Sequence, residues 1–301
     1  MPVKLAAFPK CYLDDLTVHH TMTLFDWIET AASLPHVEGV ELYPPAMESL
    51  DYPYLARVRD ALDAVGLSAP MMCASPDFTY PDPARRAAEI EGYVKVVRAV
   101  AALGGSTCRI LSGQRRPGVG REEGIAWVVD AIEQVLPLAE EQGTVLVMEN
   151  HYKDGYWEYP EFAQESSIFL EIIGRIDSPW FAVNYDPSNA LIAGDDPVEV
   201  LESVLPRVRA MHASDRTLEG GTLEDLRRMD RDPMAGYAPF VRHGVVGQGL
   251  ISYDRVFELL ASVGFDGWVS IEDGQDPELG LEHLRDSAIY LHAKLVEHGL
   301  R

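Results

Sequence analysis

The chain has 301 residues, 47% of them hydrophobic and 24% charged, and 25 Lys and Arg against 48 Asp and Glu leave a formal net charge of -23 at pH 7. This composition supports a globular fold with a sizeable core, and its acidic field repels phosphate backbones, so nucleic acid is not an expected partner. Cys11, Cys73 and Cys108 are odd in number and form no CxxC pair, no apolar run approaches the about 20 residues of a membrane span, and MPVKLAAFPK lacks a signal-peptide pattern, so a cytoplasmic protein without disulfides or membrane contact is expected.

Along the chain, near-continuous apolar runs alternate with stretches of helical spacing. KLAAF (4–8) reads as a first strand and 23–33 as a helix; GVELY (39–43) is followed by a helix over 54–65 that stops at Gly66. LSAPMMC (67–73) leads to a helix over 83–103, entered through Asp82 and Pro83 in the order of an N-cap and first helical position. STCRILS (106–112), TVLVMEN (144–150) and FAVNYD (181–186) are each followed by a helix, over 121–142, 166–176 and 196–205. RVRAMHA (207–213) precedes a long Pro- and Gly-containing segment, 217–246, and a helix over 252–263. GWVSIE (267–272) and a helix over 277–298 close the series. Strands covered on both faces read as continuous apolar runs. Eight strand-then-helix units predict one (β/α)8 TIM barrel over 1–301, with 217–246 a loop insertion at the catalytic face. A doubly wound open sheet is disfavoured, because FPKCYLDDL follows the first strand where a GxGxxG would stand; GGSTC and GVVGQG lack a P-loop lysine.

Four side chains of metal-ligand type, Glu149, Asp186, His212 and Glu272, stand at or near the ends of the fifth to eighth expected strands. Catalytic groups of a barrel collect at those ends. Three carboxylates and an imidazole, with no thiolate, suit one hard or borderline divalent ion, Mn²⁺, Mg²⁺, Co²⁺ or Zn²⁺. Such an ion leaves positions for the oxygens of a small sugar. Glu149 and Glu272 would ligate through one oxygen and exchange protons through the other, and His151 in ENH is a further candidate base. Arg216 offers a forked donor to substrate, or an ion pair with Asp215. Glu41, Arg109 and Gln114 are expected to line the mouth, although a Glu41–Arg109 pair inside the barrel explains the first two equally well; Lys10 is a weaker candidate. Tyr156, Trp157, Tyr159 and Tyr185 are candidates for an apolar wall against a sugar face.

MENH, YDPSN, MHASDR and above all GVVGQGLISYDRVFELLASVGFDGWVSIEDG resemble the sugar phosphate isomerase/epimerase family, the xylose-isomerase-like barrels that include ketose 3-epimerases and inosose dehydratases. The resemblance covers nearly the whole chain. It implies one divalent ion, Mn²⁺ before Mg²⁺, Co²⁺ or Zn²⁺, on Glu149, Asp186, His212 and Glu272, with the two glutamates as acid and base and Arg216 as the arginine of HxxDR. Where ketose epimerases often show DxxH, this chain has Asp186-Pro-Ser-Asn189, which puts an amide in the substrate-contacting position. The implied activity is removal of a proton beside the carbonyl of a ketose or oxo-sugar. It extends to catalytic subunits of C-glycoside deglycosidases, which eliminate the aglycone of 3-oxo-C-glycosides. A homo-oligomer is expected, or a hetero-oligomer with a small subunit in the deglycosidase case. Endonuclease IV-like nucleases share the barrel but need histidines where this chain has CASPDF and LSGQRR. A non-catalytic sugar-binding protein would be favoured if one of the four ligands were missing.

Overall fold

In a computed structural model that describes residues 2–229, 238–272 and 276–301, the chain folds as a single (β/α)8 barrel. Strands β1 (Lys4–Ala7), β2 (Val37–Val40), β3 (Met71–Cys73), β4 (Thr107–Ile110), β5 (Val145–Glu149), β6 (Phe181–Tyr185), β7 (Val208–Ala213) and β10 (Trp268–Ile271) form one parallel sheet in the order β2-β1-β10-β7-β6-β5-β4-β3. The seam between β2 and β3 is closed by the bridges Gly39↔Ser68 and Leu42↔Met72. A separate antiparallel hairpin, β8 (Asp215–Leu218) with β9 (Val241–Gly244), stands beyond β7.

The helices follow the apolar periodicity. Asp82 and Asp196 cap Pro83–Ala102 and Pro197–Val204, Thr23 and Asp26 form a capping box on Leu24–Ala32, and Gly66 and Gly143 close Tyr52–Val65 and Arg121–Gln142 with φ of 73° and 66°. Ser166–Arg175, Tyr253–Ser262 and Gly280–Glu297 complete the outer ring.

Two corrections concern local structure. The 217–246 segment is not loop throughout, because β8 and β9 pair across it and Leu223–Met229 is helical; its residues 230–237 lie outside those described. The short helices Leu13–Thr17 and Pro187–Ile192 were not expected. They are under two turns, too brief for a 3.6-residue period to register.

Between sheet and helices lies the main apolar core. Inside the barrel, Phe8, Met71, Cys73, Val147, Ala182 and Ala210 pack together. Side chains alternate faces along a strand. The inward face that carries Val147, Ala182 and Ala210 therefore also carries Glu149, Asp186 and His212 one or two steps further toward the C-terminal ends. All three cysteines are buried. Among the described residues no helix is long and apolar enough to cross a membrane.

Candidate metal centre and active site

His212 is the hub of the site. It is fully buried on β7; its Nδ1 lies 3.1 Å from Glu149 Oε1 and 3.1 Å from Glu272 Oε2, and its Nε2 lies 2.9 Å from Glu41 Oε2. Asp186 completes the set, and the ligand atoms of Glu149, Asp186, His212 and Glu272 all lie within 4.8 Å of one another. Donors sharing one ion at about 2.1–2.2 Å have mutual spacings of this size. With three carboxylates and one nitrogen, the donor set fits a divalent ion, and Nδ1 is the imidazole atom facing it.

Each ligand is fixed by something else. Arg109 Nη1 holds Glu149 Oε2 at 2.9 Å, and Asn189 Nδ2 donates to Glu149 Oε1 at 3.2 Å. Lys10 Nζ donates to Glu272 Oε1 at 2.9 Å. The Asp186 carboxylate caps Pro187–Ile192, accepting from Ser188 N and Asn189 N, and also accepts from Ser214 Oγ. Asn150, between Glu149 and His151, brackets the Asp186 backbone, donating to its carbonyl at 2.6 Å and accepting from its N–H at 2.8 Å. That pair ties the ends of β5 and β6 together.

The electrostatics follow from the crowding. Burial opposes charge on Glu149, but His212 and Arg109 prevail and hold its carboxyl down to about 2. Burial likewise opposes charge on Glu272, and Lys10 and His212 keep it well below the usual range. Burial works against a charged His212, yet Glu41, Glu149 and Glu272 raise its pKa well above the ordinary value. Burial, followed by Glu149 and Glu272, raises Asp186. The surrounding carboxylates thus favour the charged form of His212, which in turn offsets their mutual repulsion.

The alternative Glu41–Arg109 pair is not made: Arg109 pairs with Glu149, while Glu41 accepts from Cys73 Sγ at 3.0 Å and holds His212 Nε2. Glu41 is thereby an orienter of the histidine, in the carboxylate–histidine arrangement common behind metal ligands. Gln114 is also not at the mouth. Its Nε2 donates to Asp77 Oδ2 at 2.8 Å and its Oε1 accepts from the backbone of Glu158 and Tyr159, so it braces a loop. Tyr185 is fully buried with its hydroxyl on Pro197 O, a packing residue.

His151 is buried, with Nδ1 3.5 Å from Glu161 Oε2, and Glu161 is anchored through its other oxygen by Ser112 N and Oγ. Burial lowers the His151 pKa, but Glu161 and Glu149 outweigh it and the net shift is upward.

The hairpin brings in a residue that sequence reasoning missed. His243 on β9 is the cross-strand partner of Arg216 on β8, and burial, Arg216 and Lys10 push its pKa down to about 2, so it is neutral. Arg216 is 4% exposed; Nη1 bonds the Asp215 carbonyl, and Nε has no protein partner, as is also true of His243 Nδ1. Arg216 makes no ion pair with Asp215. The Asp215 carboxylate instead accepts from the backbone N–H groups of Arg216, Gly247, Gly249 and Ile251, so the glycines of GVVGQG wrap a carboxylate of the chain's own. Nothing in the local pattern flagged His243, since its neighbours read as loop.

Above the cluster opens a cavity of about 440 Å³ whose walls include Phe8, Lys10, Arg109, His151, Lys153 and Glu272.

Residues 25–290 match the family described as xylose isomerase-like TIM barrel. The chain belongs to that family. In sequence it is 24% identical over 155 residues to an inosose dehydratase of Bacillus thuringiensis (strain Al Hakam), an alignment covering 50% of this chain and 48% of that protein. The match thus spans about half the length of that curated relative. In structure it is similar to the IOLI protein solved with a bound zinc atom, at a TM-score of 0.74 and 16% identity over 98% of both chains. It is also similar to D-psicose 3-epimerase with D-tagatose from Clostridium cellulolyticum H10, at a TM-score of 0.73 and 13% identity over 97% of this chain and 99% of that one. The two structural likenesses speak to the fold.

Proposed function

We propose that this protein is a divalent-metal-dependent enzyme that removes a proton from the carbon beside the carbonyl of a ketose or oxo-sugar. The observation that carries the reading is the disposition of Glu149 and Glu272 around His212: both contact Nδ1 at 3.1 Å, from strands separated in the sheet by two others, beneath the same polar cavity. Two carboxylates so placed would approach a bound carbon from different directions, one to take its proton and the other to return one. The relatives named as inosose dehydratase and D-psicose 3-epimerase are consistent with that chemistry.

An ion held by Glu149, Asp186, His212 and Glu272, manganese by preference for this oxygen-rich set, would polarise the carbonyl and its neighbouring hydroxyl. Arg109 and Lys10 fix the outer oxygens of the glutamates, and Lys10 Nζ, on the cavity wall, is a proton partner for Glu272 Oε1 at 2.9 Å. Arg216, whose Nε has no protein partner, is the proposed donor to substrate oxygens, with the neutral His243 imidazole as its cross-strand neighbour. His151, oriented by Glu161, is the alternative base.

The test is deuterium incorporation. Metal-loaded protein is incubated in D₂O with D-tagatose, an inosose, 3-oxo-glucose and an aryl 3-oxo-glucoside, and the carbon beside the ketone is followed by NMR. Exchange is expected with at least one of them, and Glu149→Gln and Glu272→Gln should retain metal while losing exchange. Absence of exchange across the panel overturns the reading; wild-type exchange in both variants moves the base to His151.

A further inference from the structure

A second cavity, of about 670 Å³, adjoins the first and shares Tyr43, Asp154 and Tyr156 with it. Its own walls are mostly apolar: Pro44, Pro45, Ala74, Pro76, Val96 and the half-buried Trp157. No Lys, Arg or His lines it among the described residues, and its carboxylates, Glu89 and Asp154, disfavour an anionic occupant. The boundary between the cavities is polar and ordered. Asp154 Oδ2 accepts from Ser75 Oγ at 2.7 Å, Arg109 Nη2 reaches the same hydroxyl at 3.0 Å, and Tyr156 Oη meets Thr17 Oγ1 at 2.6 Å. Through Arg109 this boundary connects directly to Glu149.

We propose that the second cavity is a subsite for a planar, largely apolar substituent on the sugar, so that the substrate class is an aryl-substituted oxo-sugar rather than a free ketose or a sugar phosphate. The inference rests on the function proposed above for its sugar-binding half. A sugar over Glu272 and Arg109 projects one substituent past the Ser75–Asp154 boundary, where the faces of Tyr43, Tyr156 and Trp157 offer stacking area and the prolines a rigid floor.

Gly92 gives a clean probe. It lies on the exposed face of Pro83–Ala102, lines only the second cavity, and a Cβ built there meets nothing within 4 Å. A larger side chain is therefore accommodated at the cavity's rim without disturbing the helix. Calorimetry on the metal-loaded full chain compares methyl β-D-glucopyranoside with 4-nitrophenyl β-D-glucopyranoside, neither of which carries the ketone. The aryl glycoside should bind the wild type tighter by about tenfold or more. Gly92→Phe should abolish that preference and leave the methyl glycoside unchanged, while Gly92→Ala retains it and reports on folding. Equal affinities in the wild type, failure of the aryl glycoside to bind, or a preference that survives Gly92→Phe each overturn the subsite. Deuterium exchange is read separately: no exchange with an intact aryl preference sinks the proton chemistry alone, and exchange without the preference sinks the subsite alone.

Discussion

Truncating Glu41 should weaken metal binding although the residue is not among the four ligands. Its Oε2 lies 2.9 Å from His212 Nε2, and the two side chains are 1% and 0% exposed. A buried hydrogen bond to a charged group contributes about 1.5–3 kcal/mol, and about 1.4 kcal/mol is tenfold in affinity. Glu41→Gln keeps an acceptor for Nε2–H but loses the charge, so the dissociation constant should rise about tenfold; Glu41→Ala loses both and should raise it about 100-fold, in line with other residues that orient metal-bound histidines. The Cys73 thiol, which burial and Glu41 keep neutral by raising its pKa, touches Glu41 from the other side. Cys73→Ala should therefore shift affinity by less than about threefold. Competition against a chromophoric chelator at fixed pH measures all three, with circular dichroism confirming that each variant folds. Wild-type affinity in Glu41→Ala would refute the claim that the Glu41–His212 contact sets the ligand.

Removing the metal should give stability a pH slope of defined sign. The folded His212 and His151 pKa values are raised, so their contribution is complete below the unfolded value of about 6.5 and declines as pH rises toward the folded one. Chemical denaturation of metal-free protein should show a loss of up to about 1.4 kcal/mol per proton from pH 7 to 8, and a gain over that interval would contradict the assignment. Because the ion displaces a proton from His212, apparent metal affinity should instead climb with pH, by up to about tenfold per unit. Arg216→Lys keeps charge but loses the fork, so KM should rise about tenfold with metal content constant; wild-type kinetics would make Arg216 structural. Gly249→Ala should destabilise by about 2 kcal/mol or more, because its Cβ would sit 2.2 Å from Asp215 Oδ1 and 2.5 Å from Arg216 O, and an unchanged melting profile would discount the carboxylate wrap.

The barrel was legible because buried parallel strands leave a coarse imprint: FAVNY is buried at every position, and VLVME at all but its first. Strand ends were less so. LSAPMMC contributes only Met71–Cys73 to the sheet, since Pro70 has no N–H for a ladder, and GVELY pairs earlier than its apolar run, over Val37–Val40. In the site, Glu149, Asp186, His212 and Glu272 were recognisable by their shared position at strand ends. Their supports were not. Lys10 reaches Glu272 across 262 residues and Glu41 reaches His212 across 171, separations at which no local pattern signals a contact. Gln114 was misplaced for the opposite reason: its position in sequence is that of a mouth residue, but its side chain turns aside to Asp77.

The four candidate ligand positions, 149, 186, 212 and 272, are separated along the chain by 37, 26 and 60 residues, the differences between successive numbers. An ion held there would act as a cross-link joining four strand ends, withdrawing long loops of chain from the disorder of the unfolded ensemble. Its loss would fall unevenly. The segments carrying β1 to β4 contribute no ligand to the set, so they would keep their folding free energy while those carrying β5 to β10 lost a clasp, and proteolytic nicking of the metal-depleted protein would concentrate after residue 149. The ion's availability would thus govern how long the second half of the barrel survives, independently of turnover.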